Sequence, residues 1–169
     1  HRTEIAPVVT PRLDDPAVPI FDLSVSSTEL GVLDEWTDAE RLSRRLFDRM
    51  RDAGTSVGIG RYDEVRALYT SDVFRIDGND GSEWRTVHVG IDVFLEPGAP
   101  VFAPLDGVVH SFQDNANPLD YGPTIILEHR VDDGALTFYS IYGHLSRESL
   151  TTLREGDAVA RGQRIATIG

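Results

Sequence analysis

From about residue 60 onward the spacing of apolar residues changes from helical to strand-like, and turn signals recur at short intervals. Such a chain can bury its apolar residues only by pairing short strands. Glu96-Pro97-Gly98 and Leu105-Asp106-Gly107 read as turns on either side of a short segment around Val101, and residues 108–112 read as a strand. Residues 124–131 and 135–142 flank Asp132-Asp133-Gly134, whose Asp-Gly step tolerates the positive φ of a tight turn and predicts a hairpin. A two-residue loop at Asp133-Gly134 would set His129 opposite Phe138. Segments 98–109 and 156–168 share a glycine-punctuated cadence without forming a fixed-period repeat.

One helix precedes the strands. Thr37-Asp38-Ala39-Glu40 has the form of a capping box, with the Thr37 hydroxyl accepting from the Glu40 amide. Ala39, Leu42, Leu46, Phe47 and Met50 follow at helical spacing, arginines gather late, and Gly54 offers a stop, so the helix is expected over about 38–53. Its apolar stripe reads as core packing. Residues 1–20 carry Pro7, Pro11, Pro16 and Pro19 and read as an extended arm or linker, with a helix-containing lead-in over 21–83.

With 169 residues, 40% of them hydrophobic, the chain can bury one sizeable core. Its net charge of −12 argues against a nucleic-acid backbone or an anionic membrane as partner, since both reward clustered positive charge. All sixteen basic side chains are arginine, so no Schiff-base, lipoyl or biotinyl lysine exists here. The absence of cysteine removes disulfides, thiolate nucleophiles and cysteine-bound metals. The chain opens on His1 rather than Met, which reads as a piece of something longer.

His88 and Asp92 are the candidates for a metal site, because imidazole nitrogen and carboxylate oxygen both bind zinc at about 2.0–2.2 Å. On a straight strand their side chains would share a face but stand about 13 Å apart. A shared ion therefore demands a bend, and Gly90 is best able to supply it. His-x-x-x-Asp also recurs by chance, so the pair by itself leaves a structural role open. His110 and His129 fall inside expected strands and read as packed residues.

The ordered set HVGIDVF, PGAPVFAPLDGVV, TIILEHR, IYGHLS and EGDAVARGQRIATIG, over residues 84–169, resembles the lysostaphin- and LytM-type zinc endopeptidases. The resemblance implies a mainly β, antiparallel domain of the duplicated-hybrid-motif type, a distorted sandwich also similar to glucose-permease IIA, with one N-terminal helix. By position it makes His88 and Asp92 zinc ligands and His144 a catalytic residue that does not bind the metal. In that family a later His-x-His supplies the third ligand and a second catalytic histidine, and no His-x-His occurs here. The resemblance therefore implies zinc at a site incomplete within these residues, and an isolated chain without activity.

RYDEVRALYTSDVFR and NPLDYGPTIILEH further resemble the version of this domain embedded in large bacterial proteins between a phosphotransferase-like kinase domain and a class III aminotransferase domain. That implies neighbouring domains as partners and a cytoplasmic location; a free-standing member would work on peptidoglycan-like cross-links at the cell envelope. Three other readings compete. A degenerate, non-catalytic binding or regulatory module would keep the fold. A biotinyl or lipoyl carrier fails for want of its lysine. The glucose-permease IIA phosphocarrier has its His-containing segment after the APxDG segment, whereas His88 precedes Ala103-Pro104-Leu105-Asp106-Gly107.

Overall fold

The computed structural model describes residues 4–28, 31, 38–66, 69, 72–78, 80–117 and 120–169. The chain divides into two compact units, one of His1–Thr10 with Glu96–Gly169 and one of Pro11–Leu95. Among the described residues it is mainly β with one α-helix, and none of its helices is long and apolar enough to cross a membrane.

In the unit spanning Pro11–Leu95, helix α1 runs over Ala39–Asp52. Its cap is Asp38, whose carboxylate accepts the Arg41 amide at 3.1 Å. A carboxylate here satisfies an orphan amide and lies at the positive end of the helix dipole. Thr37 itself lies outside the described residues. At the other end the Ala53 and Gly54 amides return to the carbonyls of Arg49 and Arg51, and Gly54 takes φ +70°, where a side chain would be strained. The apolar stripe buries Leu46 and Met50 against Phe21 and Leu23, with Leu42, Phe47 and Phe94 partly buried around them.

The strands of this unit are β1 (Ile20–Phe21), β2 (Gly58–Gly60), β3 (Glu64–Val65), β4 (Arg75–Gly78), β5 (Gly81–Trp84), β6 (Val87–His88) and β7 (Asp92–Phe94). β2 lies between β1, which it pairs in parallel, and β7, which it pairs antiparallel. β3 pairs with β6, and β4 with β5, in two further antiparallel ladders. Gly58 lets β2 approach the core closely, since an added Cβ would come within 2.4 Å of the Phe21 ring.

The other unit holds β8 (Pro100–Phe102), β9 (Gly107–Asn115), β10 (Gly122–Val131), β11 (Leu136–Tyr142), β12 (Ala158–Val159) and β13 (Arg164–Thr167). One antiparallel sheet has the order β11-β10-β9-β12, and β8 pairs with β13 separately. The two segments of shared cadence therefore pair with each other twice, β8 on β13 and β12 on β9. The loops between follow the same exchange: the Ala103 amide donates to Gln163 O and the Gly162 amide donates to Ala103 O. Val101, Val109, Ile125, Leu127, Val159 and Ile165 form its core.

The hairpin of β10 and β11 keeps the expected register, His129 opposite Phe138, but its loop differs. Residues 132–135 connect the paired Val131 and Leu136, and Asp132–Gly134 form a 3-10 turn. Positive φ falls at Asp132 and Gly134 rather than at the adjacent pair a two-residue primed turn needs, so the expected loop gives way to this longer one. The early residues read as an arm are stitched to the sheet unit, with the Ala6 amide on Pro104 O, the Phe102 amide on Val8 O, and Val9 buried.

Candidate metal centre

His88 ends β6 and Asp92 begins β7, so the chain breaks its strand between them and turns at Gly90. An added Cβ at Gly90 would stand 3.1 Å from His88 Nε2, so glycine leaves room for the imidazole at the bend. The result is a separation of 3.5 Å between His88 Nε2 and Asp92 Oδ1. Two donors about 2.1 Å from one ion at a tetrahedral angle stand about 3.4 Å apart, so this pair fits two corners of a zinc site. No group of three His, Cys, Asp or Glu side chains able to hold a metal occurs among the described residues.

Both side chains are mostly buried, at 17% exposure for His88 and 24% for Asp92. Burial holds the His88 imidazole below its ordinary pKa of 6.5, with Asp92 pulling upward and Arg66 pushing down. A neutral imidazole keeps the lone pair that a metal requires. Among the described residues the buried His88 Nδ1 has no hydrogen bond within normal geometry, while the Arg61 backbone acts on the ring to raise its pKa.

Two residues that sequence reasoning passed over complete the surroundings. Glu64 faces His88 across the β3–β6 ladder, and Arg66, two residues on, donates from Nε to Glu64 Oε2 at 2.9 Å and from Nη2 to Asp92 Oδ2 at 2.5 Å. Each is only 5% exposed, and Glu64 Oε1 also accepts the Leu23 amide at 2.9 Å. The available signal was an acid and a base two apart in extended chain, Glu64 in β3 and Arg66 just past it, hence on one face. It is a weak signal, because the group that Arg66 reaches, Asp92, is far along the chain.

His144 follows β11 in the other unit. It is exposed and takes φ +54°, a conformation that costs a non-glycine residue about 1–2 kcal/mol. Its neighbours hold it there: its amide donates to Tyr121 O at 2.7 Å, the Gly169 amide donates to its carbonyl at 3.1 Å, and buried Leu145 follows. Non-glycine residues held in this region cluster at functional sites. Tyr142, two residues before, has a buried hydroxyl, and burial raises its pKa against the opposing pull of Ser140.

Of the two other histidines among the described residues, His129 is packed as expected and His110 is not. His129 is fully buried, with Nδ1 2.9 Å from Asp106 O and Nε2 2.7 Å from Ser140 Oγ. His110 is exposed, bonds Ser111 Oγ at 3.0 Å and stands edge-on to Tyr139.

The family model of peptidase family M23 matches residues 86–169, the stretch containing His88, Asp92 and His144. A solved structure described as a zinc-containing peptidase from Vibrio cholerae is similar at 25% identity with a TM-score of 0.40, over 64% of this chain and 31% of that one. The chain thus spans about a third of that protein's length. No curated protein sequence matches it. Residues 86–169, with their ordered histidine and aspartate motifs, thus form a peptidase family M23 segment of this chain.

Proposed function

We propose that this peptidase-like domain serves hydrolysis of peptide bonds with zinc held by His88 Nε2 and Asp92 Oδ1, peptidoglycan-type cross-links being the substrate class that the resemblance implies. The 3.5 Å spacing of those two atoms supports the reading most directly. Bound zinc supplies a water of pKa near 7 and polarises a carbonyl. His88 offers a neutral nitrogen because its burial disfavours the charged ring, and Asp92 offers an anionic oxygen. His144 has an exposed ring on a backbone locked at both amide and carbonyl, suited to hold or pass a proton at the substrate. Neighbouring domains of a longer parent chain are proposed as its partners.

One observation favours a second reading, a degenerate binding or regulatory module. Among the described residues no third donor joins His88 and Asp92. Zinc content and peptide hydrolysis of the natural full-length protein separate the two. One tightly held zinc, lost in His88→Ala and Asp92→Ala but kept without hydrolysis in His144→Ala, supports the enzyme. Unchanged metal content in the first two variants would sink the ligand assignment.

A further inference from the structure

The ion pairs around Asp92 treat its two carboxylate oxygens differently. Oδ2 accepts from Arg66 Nη2, while Oδ1 faces His88 Nε2 at 3.5 Å. The backbone makes room for Oδ2 in this position: Gly60 pairs with Asp92 across β2 and β7, and a Cβ added at Gly60 would stand 2.6 Å from that oxygen. Arg66 is fixed in turn. Its amide donates to Thr86 O at 2.7 Å, its Nε is bonded to Glu64, and Glu64 is tied to the Leu23 amide.

We propose that Arg66 is a positioning residue of the metal centre: braced by Glu64, it holds Asp92 Oδ2 so that Oδ1 alone is offered beside His88 Nε2. This inference rests on the zinc reading above. A carboxylate free to rotate can bind through both oxygens or turn to solvent; one pinned by a guanidinium fork presents a single oxygen at a fixed angle. The objection is that a guanidinium beside a metal ion repels it. Glu64 answers that objection, because its carboxylate, 2.9 Å from the same guanidinium, cancels the charge locally and leaves Asp92 its negative charge for the metal. The arrangement is the carboxylate counterpart of the outer partners that orient metal-binding histidines.

The test must remove the brace without changing net charge, since Arg66→Gln alone would leave Glu64 as an extra anion that attracts zinc. Glu64→Gln with Arg66→Gln does this. Zinc affinity is measured with zinc ions alone, by competition against a chromophoric chelator, for the wild-type protein, His88→Ala, the double variant and Arg66→Lys, with circular dichroism reporting fold. The double variant should bind zinc about 10–100-fold more weakly than wild type. Arg66→Lys, which keeps the charge but loses the fork, should fall between them. Equal uptake by wild type and His88→Ala would overturn the metal reading and this proposal with it. Binding that needs His88 but is equal or tighter in the double variant would overturn the positioning role alone, leaving a structural ion pair or a competitor of the metal. If the double variant fails to fold, Arg66→Lys decides in the same way, and unchanged affinity there refutes the proposal.

Discussion

Replacing His129 with leucine should cost stability and leave the metal chemistry untouched, and the cost can be worked from its two hydrogen bonds. The ring is fully buried between Asp106 O and Ser140 Oγ. A carbonyl only accepts, so Nδ1 carries the hydrogen and Nε2 accepts from the Ser140 hydroxyl. Leucine is close to histidine in volume, so no large cavity opens and the packing change is small. What remains is a stranded carbonyl and a stranded hydroxyl, each costing about 1–3 kcal/mol, or about 2–6 kcal/mol together. Against a total stability of about 5–15 kcal/mol, such a loss is easily read as a shift in urea midpoint. Adding Ser140→Ala to His129→Leu removes one stranded group and should recover about 1–3 kcal/mol. A His129→Leu loss under about 1 kcal/mol, or no recovery in the double variant, would refute the argument that these two bonds hold the ring.

Backbone strain at His144 gives a second prediction: His144→Gly should be more stable than His144→Ala by about 1 kcal/mol in urea unfolding, because only glycine takes φ +54° without penalty. Equal stability would mean the left-handed conformation is not held in solution. Acid provides a third. The folded pKa of His88 lies below its ordinary value of 6.5, so the unfolded chain takes up that proton first as pH falls. In metal-free protein the His88 contribution should therefore be fully present above pH 6.5 and decline through and below it. A His88→Gln variant should lose that part of the pH dependence between pH 7.5 and 5.5, and an unchanged profile would count against a buried imidazole.

The helix was legible because its evidence is local: apolar residues at helical spacing and a glycine stop predict about 38–53, and Ala39–Asp52 forms. Among the described residues its cap is Asp38; Thr37 and Asp38 are both good capping side chains, and only backbone geometry chooses between them. The hairpin register was read from a two-residue loop at Asp133-Gly134 and holds because the observed connection, residues 132–135, is centred on the same pair, whereas where positive φ falls within it an Asp-Asp-Gly run leaves open. At the site, the need for a bend at Gly90 was a matter of strand rise and could be stated from the sequence.

By itself, then, the sequence determined the mainly β character, the single helix and the ordered motif set that includes His88, Asp92 and His144. These depend on periodicity, turn chemistry and order along the chain. Tertiary structure alone decided that Arg66, paired with Glu64, meets Asp92. Arg66 and Asp92 are 26 residues apart, and their contact arises from two separate ladders, β3 on β6 and β2 on β7. No local pattern encodes such a meeting, because it is the register of two strand pairs that brings the guanidinium to the carboxylate.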